Sequence, residues 1–191
     1  MHLLSKIKFT FTNGFPNENT SLKVKDIKIT NAPAKGSIAV NKEREDFEWT
    51  LVQGETTELA FGDVNGGNPM PLYSAEKVEN GVFDPECAVE RLTIPADATK
   101  EYAVSFHVAV YQGEVLAMES DINATISGIA LEMGKAYNFT AVINQDVLDL
   151  KPIQFTASVS DWTPAGDFSA YIYEADGFGK DSTTGFYHIE N

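Results

Sequence analysis

The chain has 191 residues, of which 43% are hydrophobic, enough apolar material to bury the core of one domain. Its 28 acids outnumber its 14 bases, and an acidic body of this kind repels phosphate backbones, which argues against nucleic acid as a partner. The single cysteine, Cys87, excludes an internal disulfide and a cysteine-rich zinc site.

The bases are concentrated at the start of the chain. Residues 1–44 hold 8 bases and 3 acids, whereas residues 45–191 hold 6 bases and 25 acids. The early lysines alternate with apolar residues, a pattern typical of the solvated face of two strands. A docking patch for an acidic partner is the alternative interpretation.

No targeting or membrane-spanning segment can be recognised. No stretch approaches the roughly 18 apolar residues that span a bilayer. The first residues, MHLLSKIKFTF, contain neither an apolar segment of signal-peptide length nor a small-residue cleavage site. We therefore expect either a cytosolic protein or one whose targeting segment lies outside this sequence.

The first two predicted elements are strands. In KIKFTFT (6–12), Ile7, Phe9 and Phe11 share one face and lysines and threonines the other, which predicts a half-buried strand with a wet outer surface. In LKVKDIKIT (22–30) the apolar parity changes between Val24 and Ile27. Such a one-residue slip predicts a β-bulge at the intervening Lys-Asp pair.

Four short strands follow, each bounded by Gly, Asn or Pro. They are SIAV (37–40), FEWTLV (47–52), TTELAF (56–61) and VERLTI (89–94). The segment GDVNGGNPMP (62–71) is a loop by composition. Its Asp63–Asn68 stretch, like 176–181, places oxygens near glycines, but neither continues to the glutamate that closes a calcium loop. Turn chemistry is therefore the preferred interpretation.

Longer alternating runs occupy the second half. YAVSFHVAVY (102–111) predicts a strand, and Gln112-Gly113 turns it into EVLAMESDINATI, a hairpin. After a turn at Gly134-Lys135, YNFTAVI (137–143) predicts another strand. The residues expected to face inward are Tyr102, Val104, Phe106, Val108, Val110, Tyr137, Phe139, Ala141 and Ile143.

The run PIQFTASVSDW (152–162) is predicted to close the core. Ile153, Phe155, Ala157 and Val159 share its inward face, whereas Trp162 falls on the polar parity. A bend near the preceding aspartate would be needed for the indole to cap the core. About ten short strands without βαβ spacing predict an all-β fold, an antiparallel β-sandwich or barrel.

The residues carry no recognisable catalytic or metal-binding motif. His2, His107 and His188 are scattered, without a second ligand at a suitable spacing. No GxSxG elbow, Walker loop, GxGxxG or HExxH occurs. We therefore expect no enzyme activity, no cofactor and no metal ion.

An ordered set of segments resembles a known family. ERLTIPAD, YAVSFHVAV, LEMGKAYNFTAVI and PIQFTASVSDW follow one another, and HLLSKIKFTF stands at the start. This order resembles the C-terminal part of the fimbrillin-like surface proteins of Bacteroides-type bacteria, the type V pilins and minor fimbrial subunits. The positions that match the family motifs are His2, Leu131, Gly134, Lys135, Tyr137, Phe139, Val159 and Trp162.

The resemblance covers roughly residues 2–166 and implies a division of the chain. Residues 1–166 would form the fimbrillin-like β-sandwich domain, with transthyretin-like or Ig-like Greek-key topology. Residues 167–191 would form a C-terminal extension, either a strand or a flexible tail. The lipoprotein signal, its lipidated cysteine and the N-terminal β-domain of the family are absent from this sequence.

The resemblance also implies a function. Family members reach the outer membrane as lipoproteins and polymerise by strand exchange, which implies a non-catalytic structural or adhesive fimbrial subunit at the cell outer membrane or extracellular surface. The implied partners are other fimbrial subunits, with host or bacterial surface ligands as further candidates. Membrane contact would occur only through a lipid anchor absent from this chain. The alternative is a non-polymerising surface lipoprotein module that binds carbohydrate or protein.

The segment after Trp162 is the candidate donor strand. FSAYIYE (168–174) and FYHIE (186–190) alternate aromatic and other side chains, which suits the filling of pockets along an open sheet edge. The alternative, a last strand docked on its own sandwich and followed by a tail, stays open. The candidate donor residues are Phe168, Tyr171, Tyr173, Phe186, Tyr187 and Ile189.

Overall fold

The computed structural model describes most of the chain. The described residues are 2–17, 19–41, 46–68, 90–144, 153–162, 178–180 and 187–189. Within them the chain is built from strands, with one 3-10 turn at Val64–Gly67 and no α-helix. A helix that could cross a membrane is therefore not found in the described segments.

The first of two four-stranded sheets is built around the first strand. Its strands are β1 (Ser5–Asn13), β6 (Arg91–Thr93), β9 (Lys135–Ile143) and β10 (Thr156–Asp161). They lie in the order β10–β9–β1–β6, so β1 and β9 are central and β10 and β6 are at the edges. β1 and β9 run parallel, and the remaining pairs run antiparallel.

The second sheet consists of β2 (Thr20–Pro33), β5 (Thr56–Gly62), β7 (Tyr102–Gln112) and β8 (Val115–Ile126). These strands lie in the order β5–β2–β7–β8, and all their pairs are antiparallel. The β7–β8 turn is made by Gly113 and Glu114, one residue later than predicted, with Gly113 at a φ of 60°. The all-β sandwich is confirmed, and its one parallel pair is possible because the whole second sheet serves as the crossover from β1 to β9.

Two further strand pairs lie outside these sheets. β3 (Gly36–Asn41) and β4 (Asp46–Leu51) form a hairpin inserted between β2 and β5. β11 (Phe178–Lys180) pairs with β12 (Tyr187–Ile189). The strands predicted at 37–40, 47–52 and 56–61 are confirmed, and of the one predicted at 89–94 only Arg91–Thr93 forms a strand. Residue 89 of that strand and residues 69–71 of the predicted loop lie outside the described residues. The transthyretin-like or Ig-like connectivity stays a prediction, as does the division at residue 166.

A cluster of phenylalanines joins the two sheets. The Phe9 ring centroid on β1 lies 4.8 Å from that of Phe61 on β5 and 5.5 Å from that of Phe155. The ring centroid of Phe11 lies 4.9 Å from that of Phe106 on β7. All the residues predicted to face inward on β1, β7 and β9 are buried, so the alternation correctly identified the core face of each strand.

Two sequence-based expectations about exposure are wrong. Thr10, on the outer face of β1, is only 2% exposed, because β1 lies inside its sheet and the Thr10 hydroxyl donates to Oδ1 of Asn138 on β9 at 2.8 Å. Val159, expected in the core, is 54% exposed. β10 is an edge strand, and its apolar packing ends at Ala157, which lies against the core as Phe155 does.

The predicted β-bulge is confirmed in β2. The register of β2 against β7 shifts between Lys25 and Lys28, and Asp26 has a φ of 53°. Its backbone N–H donates to Oδ1 of Asp63 at 3.0 Å. The Asp63 carboxylate therefore holds the bulge, in agreement with the interpretation of residues 63–68 as turn chemistry.

We expect the left-handed backbone at Asp26 to be sensitive to β-branching. Asp26→Val should lower the free energy of unfolding by about 1–2 kcal/mol, because a β-branched residue is strained at positive φ. Asp26→Gly should leave the stability unchanged or raise it slightly. Urea denaturation of both variants measures this, and equal stabilities would contradict the bulge geometry.

The buried hydroxyl of Tyr102 makes the stability of the fold depend on alkaline pH. Tyr102 is 2% exposed and its hydroxyl finds no hydrogen-bond partner within the described part of the chain. Burial, followed by the charge of Asp97, raises the pKa of Tyr102 far above its ordinary value. In the unfolded chain the Tyr102 hydroxyl ionises at about pH 10, whereas in the folded protein it stays protonated to higher pH. The free energy of unfolding is therefore unaffected by this group below about pH 10 and falls as the pH rises above it.

Tyr102→Phe should therefore raise the free energy of unfolding at neutral pH by about 1 kcal/mol and flatten its decline above about pH 10. Tyr137→Phe is the matched control, because the Tyr137 oxygen accepts the Glu132 N–H at 2.8 Å and its removal should destabilise. Urea titrations at several pH values report both effects. An unchanged alkaline slope in Tyr102→Phe would contradict the assignment.

Candidate functional site

The family-motif residues meet at one end of the sandwich. The turn before β9 begins with Leu131, which exchanges two backbone hydrogen bonds with Ala96 at 3.0 and 2.8 Å. Further along, the Gly134 N–H donates to the Leu4 carbonyl at 3.0 Å, and the Gly134 carbonyl accepts from the Trp162 N–H at 2.8 Å. One turn therefore ties the beginning of the described chain to the end of β10.

Gly134 has a conformational reason to be glycine. Its φ is 70°, in the region that L-residues with a side chain rarely adopt. A Cβ at this position would lie 3.5 Å from the His2 carbonyl oxygen, an ordinary van der Waals distance. The backbone conformation of the turn, and not a lack of space, is therefore the reason for the motif glycine.

His2 and Trp162 form an aromatic stack beside this turn. Their ring centroids are 3.8 Å apart and their planes differ by 12°, and Nζ of Lys6 lies 5.6 Å from the Trp162 centroid. Trp162 was predicted to cap the core after a bend near Asp161. Instead β10 pairs regularly up to Asp161 opposite Lys135, and the half-buried indole packs on the first residues of the chain.

The remaining motif residues also have structural contacts. Nζ of Lys135 donates to Oδ1 of Asp161 at 2.6 Å; this hydrogen bond and the opposite charge raise the pKa of Lys135 and lower the pKa of Asp161. Burial raises the pKa of Tyr137. Leu131, Tyr137 and Phe139 are buried in the core. We call His2, Leu131, Gly134, Lys135, Tyr137, Asp161 and Trp162 the motif cluster.

Trp49 was not identified from the sequence. Its indole N–H donates to the Leu3 carbonyl at 2.8 Å, so the β3–β4 hairpin is attached at the same end of the sandwich. Both tryptophans of the chain therefore contact its first residues. The only sequence signal was a tryptophan in a short strand, which does not reveal a partner 46 residues away.

Charged side chains line the outer face of the second sheet. β2 contributes Lys23, Lys25 and Lys28, and β8 contributes Glu119 and Asp121, as the paired registers show. His107 lies between them, with Nδ1 at 2.8 Å from Oδ1 of Asp121 and Nε2 at 3.7 Å from Oε2 of Glu119. A depression of about 570 Å³ crosses this face. Among the described residues no group of three or more His, Cys, Asp or Glu side chains could hold a metal ion.

The candidate donor residues are only partly described. Phe168, Tyr171, Tyr173 and Phe186 lie outside the described residues. Tyr187 and Ile189 belong to β12, whose backbone pairs with β11 in the register Tyr187 to Lys180 and Ile189 to Phe178. The donor role therefore stays a prediction.

The family is shown by comparison with known families. The family described as fimbrillin-like matches residues 1–162, which is most of the chain. The protein belongs to the fimbrillin-like family, as its motifs indicated. A comparison with curated protein sequences gave no match.

Several solved structures are similar. A proposed cell adhesion protein from Bacteroides uniformis is 18% identical, with a TM-score of 0.43, over 85% of this chain and 52% of that one. One from Bacteroides fragilis is 15% identical, with a TM-score of 0.46, over 85% and 47%. A fimbrial protein from Bacteroides vulgatus is 11% identical, with a TM-score of 0.41, over 84% and 55%. The chain spans about half the length of these proteins.

We expect the His2–Trp162 stack to be measurable as a coupling energy. Trp162→Ala should lower the free energy of unfolding by about 1–2 kcal/mol, and His2→Ala by less. The double variant should show a coupling of about 0.5–1.5 kcal/mol, because the two rings stabilise each other directly. Thermal or urea unfolding of the four proteins completes the cycle.

The control combines His2→Ala with Tyr111→Ala. Tyr111 lies at the other end of β7, beside the turn at which the Gly113 N–H donates to the Asn19 carbonyl. These two changes should be additive, because the residues share no contact. Additivity of His2 and Trp162 would remove the stack as a stabilising element.

Proposed function

We propose that this protein is a non-catalytic structural or adhesive subunit of a bacterial surface fimbria, located at the cell outer membrane or extracellular surface. The observation that carries the proposal is its membership of the fimbrillin-like family over residues 1–162. The titratable residues of the motif cluster support it, because each is engaged in a packing or hydrogen-bonding contact that stabilises the fold. Partners would be other subunits, and any membrane contact would be made through a lipid anchor.

Assembly would occur by β-strand exchange. β10 and β8 are edge strands, and an edge strand presents N–H and C=O groups that an added strand can satisfy. Alternating aromatic side chains of the added strand would fill apolar gaps along the edge. The donor would be residues 167–191, with Phe168, Tyr171 and Tyr173 as the first anchoring side chains and Phe186, Tyr187 and Ile189 as the second set.

The motif cluster would serve as the base from which the donor leaves the domain. Trp162 is held through its backbone N–H and its stacked ring, and the preceding Asp161 is paired with Lys135. Beyond Trp162, the described residues pair with each other and with no strand of the sandwich. This arrangement supports a segment that is anchored at one end and available to a neighbour.

A surface module that binds carbohydrate or protein without polymerising is the second candidate. The depression on the outer face of the second sheet favours it, because hydrogen-bonding side chains line the floor and walls. They include Lys28, Glu58, His107, Asp121 and Asn123. A glycan array with and without Asn123→Ala would test this alternative.

Removal of residues 167–191 should abolish strand exchange. The full chain should form oligomers in sedimentation velocity experiments, whereas the shortened chain should lose them and accept an added peptide of residues 167–175. A full-length variant with Phe168, Tyr171 and Tyr173 changed to Ser is the matched control for chain length. It should behave like the shortened chain, because the anchoring side chains are lost.

The same distribution of species with and without the segment would contradict strand exchange. Binding of a scrambled peptide as tightly as the native one would contradict the assignment of the anchoring residues. In either case the fimbrillin-like fold would be unaffected, since the described sandwich ends at Trp162.

A further inference from the structure

The outer face of the second sheet carries two oppositely charged stripes. The lysine stripe consists of Lys23, Lys25 and Lys28 on β2. The acidic stripe consists of Glu119 and Asp121 on β8, whose side chains are 61% and 86% exposed. β7 lies between the stripes, and neighbouring strands are about 4.8 Å apart, which places the stripes about 10 Å from each other.

The two stripes are in register across β7. Lys23 is level with Ala109, and Ala109 with Glu119; Lys25 is level with His107, and His107 with Asp121. In the next row Lys28 is level with Ser105 and Asn123. The register shift at the bulge maintains this third row, because it returns Lys28 to the outer face.

Most side chains on the outer face of the middle strand are shorter than those of the stripes. Ala103, Ser105 and Ala109 share that face with His107. The depression of about 570 Å³ lies beside Ser105 and His107, with Asp121 and Asn123 on one side, and extends past Lys28 to Glu58 on β5. A second surface would therefore meet the lysines and carboxylates before it reached the floor. The floor would retain water, as polar interfaces commonly do.

This arrangement is complementary to itself about one axis. A two-fold axis along β7, in the plane of the face, exchanges the sides of the sheet and keeps the level of every row. It places Lys23 opposite the partner's Glu119, Lys25 opposite the partner's Asp121 and Lys28 opposite the partner's Asn123. Each contact occurs twice, because a two-fold interface is isologous. An axis across the strands would instead place lysine opposite lysine.

The area of the face suits a weak, specific contact. About this axis β2, β7 and β8 of one copy face β8, β7 and β2 of the other, and β5 lies outside the contact. Three strands are about 14 Å wide and nine residues of β7 are about 30 Å long, so each copy contributes about 430 Å². The total of about 900 Å² lies in the range of weak, transient protein–protein contacts. Twisted sheets pack face to face with their strands within about 30° of each other, which this axis allows.

We propose that two copies of this protein pair through the outer faces of their second sheets, with the lysine stripe of each copy against the acidic stripe of the other. The contact is lateral and uses none of residues 163–191, so it is independent of strand exchange. It would associate subunits side by side. Because its charges lie at the surface, it weakens as salt rises.

Charge reversal tests the pairing in the full-length chain. Lys25→Glu places two carboxylates opposite each other, and Asp121→Lys places two ammonium groups opposite each other. Each variant alone should dimerise at least tenfold more weakly than the native chain. An equimolar mixture should recover dimers, because in the mixed pair both carboxylates of the first variant face ammonium groups of the second. Sedimentation velocity between about 10 μM and 1 mM covers the affinity range expected of a small polar interface.

Lys35→Glu and Glu48→Lys are the matched controls. They make charge reversals of the same kind at exposed positions away from this face and should dimerise like the native chain. Circular dichroism and thermal unfolding should be native-like in all four variants. The proposal is overturned if the native chain stays monomeric at low salt, if Lys25→Glu and Asp121→Lys dimerise normally, or if their mixture fails to recover dimers. Loss of oligomers on deletion of residues 167–191, with dimers retained, would separate this contact from strand exchange.

Discussion

The contact between the two sheets through Phe9 and Phe11 is the interaction on which the rest of the structure depends. Both residues are fully buried on β1, and their rings reach Phe61 and Phe106 in the second sheet. Each buried phenylalanine contributes about 2–3 kcal/mol by removal of apolar surface from water. Because β1 also pairs with both β6 and β9, the same strand joins the layers and holds its own sheet together.

The motif cluster follows from that arrangement. The parallel pairing of β1 with β9 brings the start of β1 beside the turn that precedes β9. The antiparallel pairing of β10 with β9 brings the end of β10 beside the same turn. Gly134 can then bind Leu4 on one side and Trp162 on the other. The motif residues His2, Gly134 and Trp162 thus have a structural role: one glycine turn and one aromatic stack join the residues before β1 to the end of β10.

The two proposed contacts use different exposed surfaces of the sandwich. Within the described residues the polar side chains of the motif cluster support the fold, while the sheet edges and the outer faces are exposed. Edge strands offer backbone groups to an added strand, and the charged face of the second sheet offers complementary side chains. The two proposed contacts differ in direction and chemistry: strand exchange would extend a fibre, and the charged faces would associate subunits laterally.

The sequence by itself determined the local structure, and only the tertiary structure decided which local features meet. Alternation identified the inward faces of β1, β7 and β9, and the parity change at Lys25–Asp26 located the bulge, because side-chain direction in a strand repeats every two residues. Exposure at Thr10 and Val159 depended on whether the strand was central or at the edge. The His2–Trp162 stack and the facing rows of Lys25 and Asp121 depended on pairing between distant strands. Local periodicity contains no information on strand register, so these contacts could be found only once the sheets were assembled.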